Sequence, residues 1–192
     1  MTEQLVLASG SPRRQQYLSD LGLDFIADAP NVDETPLKNE KPMDYVKRVT
    51  LDKARQTTQR HKNAHILAAD TTVCVGRRIL GKPEEAKEAA RMLRLMSGRR
   101  HNVLTAVCLI DAHGCEKITL VKTAVKMKPL TEKDISAYVT NPSNWENMAG
   151  GYGLQTTAGG ALVQWVNGSV SGVVGLPLVE TLNLLRRVNY YV

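Results

Sequence analysis

Residues 5–22 read LVLASGSPRRQQYLSDLG, with Arg13 and Arg14 side by side just after a proline. An apolar run, Leu5 to Ala8, ends at Gly10 between Ser9 and Ser11. Serine is favoured just before a helix and proline at its first position, so strand, tight turn and helix are predicted in that order. Tyr17, Leu18 and Leu21 keep helical spacing, and Gly22 supplies a stop. A helix N-terminus already carries about half a positive charge, and two arginines in the first turn add to it. Such crowding is disfavoured unless something anionic sits among the charges. Open N–H groups, serine hydroxyls and guanidinium forks together make a phosphate site. The plain alternative is a pair of solvated arginines on a surface turn.

Other residues extend this chemistry. Asp70 interrupts HILAADTTVCV, a run that otherwise reads as a central strand. A carboxylate there is costly unless it is paired or has work to do. Lys53 shares a predicted helix face with Val46 and Val49, which points it inward or along a cleft; the alternative is a lysine whose stem lies on the surface and whose head stays in water. Lys82, between Gly81 and Pro83, and Glu34, in VDET, read equally well as site residues or as ordinary loop charges. Together these are two carboxylates, two lysines and two arginines. Phosphoanhydride cleavage needs a carboxylate that holds a divalent metal or orients water, and cations that take up charge on phosphate oxygens. No Walker A pattern is present, and His61, His65, His101 and His113 lack metal-ligand spacing. The residues alone therefore point to metal-assisted hydrolysis of a phosphate-rich metabolite.

The elements that would carry these residues follow from the patterning. After a loop at 28–41, a helix is predicted from Pro42 to about Arg60, then a strand from His65 to Val75 and a short strand ending before Gly81. A helix from Pro83 to Met96 comes next, with two long strands at 101–111 and 116–126 and a short helix capped by Thr131. Residues 141–160, rich in Gly, Asn and Thr, read as a loop that shapes a site. Asn167-Gly168 signals a hairpin within 161–174, and Pro177 opens a last helix, 178–188. Alternation early and antiparallel pairing late favour a mixed-sheet α/β or α+β fold. With 192 residues and 43% apolar composition, one domain is expected. No apolar stretch approaches a membrane span, and no basic-then-apolar leader is visible, so neither membrane nor secretion is expected. Cys74 and Cys108 fall in apolar runs and Cys115 makes an odd third, which suggests reduced thiols and a cytoplasmic enzyme. The net charge of +6 suits an anionic partner, yet 5% aromatic content is poor for stacking single-stranded nucleic acid, which is not favoured.

Several motifs, taken together and in order, resemble the Maf family of nucleoside triphosphate pyrophosphatases. They are LASGSPRRQQYL near the start, VDE at 32–34, AADTTV at 68–73, GKP at 81–83, MSGRRHNVLTAV, GGYGLQ at 150–155 and NGSVSGVVGLPL at 167–178. The resemblance spans nearly the whole chain. It implies an elongated mixed sheet flanked by helices, with two lobes around a central cleft as in inosine triphosphatases. It also implies cleavage between the α and β phosphates, to a monophosphate and pyrophosphate, with a divalent cation (Mg²⁺, Mn²⁺ or Co²⁺). By matching motif, Asp70 is the expected proton acceptor. Ser9, Arg13, Arg14, Lys53 and Lys82 would bind phosphate, and Glu34 and Asp70 would hold the metal.

Arg13, Thr71 and Gln155 stand where the resemblance places substrate choice, and all three are similar to the dTTP/UTP subgroup. The 7-methyl-GTP subgroup has Trp, Gln and Glu there. A uracil or thymine edge offers two carbonyls and one N–H, which an amide matches in both senses. The competing expectation is a nucleotide-binding regulator of cell division and septum formation that does not catalyse. Against it stands Asp70, since a pure binder gains nothing from a carboxylate facing phosphates. A homodimer is left open.

Overall fold

Leu5, Val6 and Leu7 are buried on both sides, as an inner strand of a sheet covered on two faces must be. They form β1 (Leu5–Leu7) of the computed structural model, which describes residues 3–191 of the chain. Then come α1 (Pro12–Asp20), β2 (Ile26–Ala27), α2 (Pro42–Arg60), β3 (His65–Val75), β4 (Arg78–Leu80), α3 (Ala86–Met96), β5 (Arg100–Ile110) and β6 (Glu116–Met127). The described chain ends with α4 (Glu132–Val139), α5 (Thr157–Gly160), β7 (Val163–Asn167), α6 (Val170–Val174) and α7 (Leu178–Leu185). The strands form one sheet in the order β2-β1-β3-β5-β6-β7, with β4 paired to β3. β1 runs parallel to β2 and β3, whereas β3/β4 and β6/β7 are antiparallel, so the fold is mixed α/β as expected.

The chain divides into two compact units: 1–70, 105–121 and 175–192 in one, 71–104 and 122–174 in the other. In the first, the two-residue period of the strands sorts the core onto two faces. Leu5, Leu7, Leu67, Ala69, Val107 and Leu109 pack with Leu18 of α1 and Leu184 and Leu185 of α7. The alternate residues, Val6, Ala8, Ile66, Ala68, Cys108 and Ile110, pack with Ala54 of α2. Asp70 continues the parity of Ile66 and Ala68, which places it on the α2 side. The second unit packs Val73, Leu93, Met96, Val103, Met127, Ile135, Trp145 and Tyr152 around its own core.

Four local expectations are corrected. Ser11 occupies the N-cap position of α1, but its hydroxyl makes no capping bond; its N–H instead donates to Ser9 Oγ at 3.2 Å. The helix expected from Pro83 starts at Ala86, because Glu85 is extended and the Glu84 N–H is satisfied by the Glu88 side chain at 3.1 Å. The 141–160 stretch contains a short helix, α5, capped by Thr156 accepting from the Gly159 N–H. Asn167-Gly168 makes no hairpin. Gly168, at φ 127°, sits so close to Thr123 that a Cβ would lie 2.9 Å from its hydroxyl oxygen. Ser169 then donates its N–H to Thr123 Oγ1 and accepts from the Gly172 N–H, both at 3.0 Å, which turns the chain from β7 into α6.

Candidate active site

The apolar stripe of α2 carries Val46 and Val49, both fully buried, and its next place along the helix goes to Lys53. Its stem follows the stripe inward, and only 8% of the residue is exposed. Nζ donates to Asp70 Oδ1 at 2.7 Å and lies 2.7 Å from Glu34 Oε1. Asp70 is 6% exposed in the middle of β3. An ammonium and a carboxylate survive such burial only when each compensates the other. The surface-lysine alternative for Lys53 is thus excluded. Glu34 differs: its side chain is 43% exposed, on a loop with no regular structure, yet its carboxylate meets the same ammonium.

Arg14 is buried at the first turn of α1. Nη1 donates to Ser9 Oγ at 3.0 Å and Nε to the Gly175 carbonyl at 2.8 Å, so the guanidinium is locked rather than solvated. Burial pulls its pKa down, and the Asp70 carboxylate opposes that pull. Arg13 and Glu34 act on it in the same contest, with opposite signs, which puts all four charges in one electrostatic neighbourhood. Arg13 is half-buried, and burial lowers its pKa too. Ser9, Arg13, Arg14, Glu34, Lys53 and Asp70 therefore belong together in the first unit. They combine cations, a hydroxyl and two carboxylates, the set that phosphate chemistry calls for.

The remaining expected residues lie in the second unit. Thr71 follows Asp70 on β3 and is half-buried; Lys82 and Gln155 are exposed. The Gln155 amide lies close to Gly153: a Cβ there would be 2.8 Å from Nε2 and 2.5 Å from Met148 Sδ, so any larger residue would shift the ends of both side chains. Beneath the same segment, Tyr152 Oη sits 2.8 Å from His101 Nε2, with the two rings edge to face. Sequence reasoning missed Tyr45, Arg48 and the Gly175 carbonyl. Tyr45 and Arg48 lie three residues apart on α2, a spacing that could have suggested a shared face.

Among the described residues no group of three or more His, Cys, Asp and Glu could hold a metal. Glu34 and Asp70 nevertheless converge within 2.7 Å of one point, the Lys53 ammonium. Hard oxygen donors of this kind, one or two carboxylates completed by substrate phosphates and water, suit Mg²⁺ or a similar ion without a preformed cage. The two carboxylates are donors of the kind such a cation takes.

Similarity to known proteins agrees with this chemistry. The model of the family described as Maf-like protein matches residues 4–188. A protein of Ruegeria sp. (strain TM1040) named dTTP/UTP pyrophosphatase is 46% identical over 187 residues, covering 96% of this chain and 94% of its own. One of the same name from Rhodopseudomonas palustris (strain BisB5) is 47% identical over 189 residues, 95% of this chain and 90% of that one. Another, from Zymomonas mobilis subsp. mobilis, is 42% identical over 192 residues, 99% and 94% of the two chains. Among solved structures, a nucleoside-triphosphatase / dITP/XTP pyrophosphatase of Mycobacterium abscessus aligns with a TM-score of 0.44 at 18% identity, over 66% of this chain and 75% of that one. With the family model matched from β1 to the end of the last helical turn, the chain belongs to the Maf family.

Proposed function

We propose that the protein hydrolyses dTTP and UTP between the α and β phosphates, releasing the nucleoside monophosphate and pyrophosphate. The observation that carries this reading is the carboxylate of Asp70, buried in an apolar strand, held at 2.7 Å by Lys53 and within the field of Arg14. Relatives named dTTP/UTP pyrophosphatase at 42–47% identity support the substrate. In this reading Asp70 accepts a proton from the attacking water. Lys53 orients that carboxylate and, with Arg13, Arg14 and Ser9, offsets charge on the phosphate oxygens as it moves to the leaving pyrophosphate. Glu34 and Asp70 would hold a divalent cation, which when bound supplies further charge stabilisation at the phosphates. A role for Lys82 at the phosphates, and for Arg13, Thr71 and Gln155 in choosing the base, is proposed on the family's motifs. The buried free thiols of Cys74 and Cys108, the latter's pKa pushed up to about 12 by burial, favour a reducing, cytoplasmic setting. No helix among the described residues is long and apolar enough to cross a membrane.

The test is phosphate release from dTTP, UTP, dCTP, GTP and 7-methyl-GTP with Mg²⁺, Mn²⁺ or Co²⁺, with and without added inorganic pyrophosphatase. Release that needs the auxiliary enzyme and is fastest for dTTP and UTP is the expected result. Release without it would mean cleavage at the γ phosphate and would overturn the reading.

A further inference from the structure

The loop before α2, residues 28–41, has no regular structure, and yet it delivers the Glu34 carboxylate to one place. A half-exposed side chain on an unsupported loop would lose that place to conformational entropy. The support comes from α2. Three successive loop carbonyls are held from it: Asp33 O by Arg48 Nη1 at 3.5 Å, Glu34 O by the Tyr45 hydroxyl at 3.0 Å, and Thr35 O by Arg48 Nη2 at 3.0 Å.

Arg48 is itself fixed. Its Nε donates to Glu40 Oε1 at 2.7 Å and its Nη2 to Glu40 Oε2 at 2.9 Å, a two-pronged bond that sets the plane of the guanidinium. Glu40 Oε2 also accepts the Leu37 N–H at 2.9 Å, which closes the turn that brings this carboxylate back under the helix. The guanidinium lies 5.6 Å from the centre of the Tyr45 ring, so the two holders of the loop steady each other. Further along, Gln56 Nε2 donates to Asn31 O at 2.8 Å and Arg60 binds both oxygens of Asp28 at 2.8 Å. Positions 45, 48, 56 and 60 fall at spacings of three, eight and four, a stripe on α2 beside the buried one that carries Lys53.

We propose that Arg48 is a positioning residue for the reaction: with Tyr45 it fixes the backbone of residues 33–35 so that the Glu34 carboxylate stays on Lys53 beside Asp70. This rests on the reading of Glu34 as a site residue. Arg48 touches no substrate in this account and acts through Glu34. A lysine could not replace it, because a point charge cannot grip two carbonyls and a carboxylate in one plane.

The test is a double-mutant cycle on UTP hydrolysis with Glu34→Gln, Arg48→Ala and the pair, and with Arg55→Gln as control. Arg55 makes an equally two-pronged bond, to Glu116, from the same helix. Arg48→Ala should lower kcat about 10- to 100-fold, the usual cost of losing a group that orients a site residue, with a smaller change in KM. The pair should match Glu34→Gln alone within about 2-fold, and Arg55→Gln should stay within about 2-fold of wild type. Amide exchange should quicken in residues 33–35 of Arg48→Ala and not in α2. Losses that multiply in the pair, or unchanged exchange in the loop, would overturn the positioning role while leaving Glu34 in the site. Near wild-type turnover in Glu34→Gln would remove Glu34 from the site, and this role with it.

Discussion

Lys53 answers to two carboxylates at 2.7 Å, and this one ammonium ties a helix, a strand and a loop to the same point. Asp70 and the adjacent arginines were visible in the sequence because each broke a local rule: a charge inside an apolar strand, and cations at a positive helix end. Arg48 and Tyr45 broke none. An arginine on a helix next to water looks ordinary, and bonds to loop carbonyls leave no trace in residue types. The proposed role of Gln155 in reading the base was visible only through family resemblance. If the Gln155 amide pairs with the uracil or thymine edge, Gln155→Glu removes the donor and sets an oxygen against a carbonyl. An unmade bond of that kind costs about 1–3 kcal/mol, roughly a 5- to 150-fold loss in kcat/KM. The loss should fall on dTTP and UTP and spare 7-methyl-GTP. Equal losses across nucleotides would mean that Gln155 supports its loop and reads nothing.

Among elements, the segment at 149–160 is tied to β5 through Tyr152. His101, on β5, is almost fully buried and meets the Tyr152 hydroxyl; burial lowers its pKa to about 4 from 6.5. Between those values the unfolded chain binds more protons than the folded one, so stability must fall as pH drops from about 6.5 towards 4. The shift corresponds to about 3 kcal/mol at most. Urea midpoints between pH 7 and 4 should therefore fall more steeply for wild type than for His101→Gln. Parallel profiles would show that His101 does not stay neutral in the fold. Elements were legible where spacing was regular: α2 begins at Pro42 and ends at Arg60, and β3 runs from His65 to Val75, as their patterns indicate. They were misread where a tertiary contact decides. The Asn167-Gly168 pair carries the local signature of a hairpin, but Thr123 takes the next backbone N–H and the chain turns into a helix instead. The two-residue β2 is too short for any periodicity and exists because β1 offers it a parallel edge.

At the scale of the whole molecule, charge is divided unevenly. The first unit has thirteen Lys and Arg against thirteen Asp and Glu; the second has twelve against six and so holds the entire excess. A surplus of that kind attracts a polyanion over about 10 Å at 0.1 M salt and acts on encounter more than on chemistry. For UTP, kcat/KM should fall as NaCl rises from 20 to 300 mM, in roughly that window, while kcat holds. Neutralising Arg77 and Arg78, exposed at the turn into β4, should flatten the slope. A salt-independent kcat/KM would mean that the excess plays no part in substrate capture.

Cleavage between the α and β phosphates with Asp70 as proton acceptor is tested by product identity in ³¹P NMR, with UTP as substrate and wild type compared with Asp70→Asn. Wild type should give UMP and pyrophosphate in equal amounts. The same products should form about 10²- to 10⁴-fold more slowly from Asp70→Asn, with nucleotide binding retained by calorimetry. UDP and inorganic phosphate from wild type, or near wild-type turnover in Asp70→Asn, would contradict it.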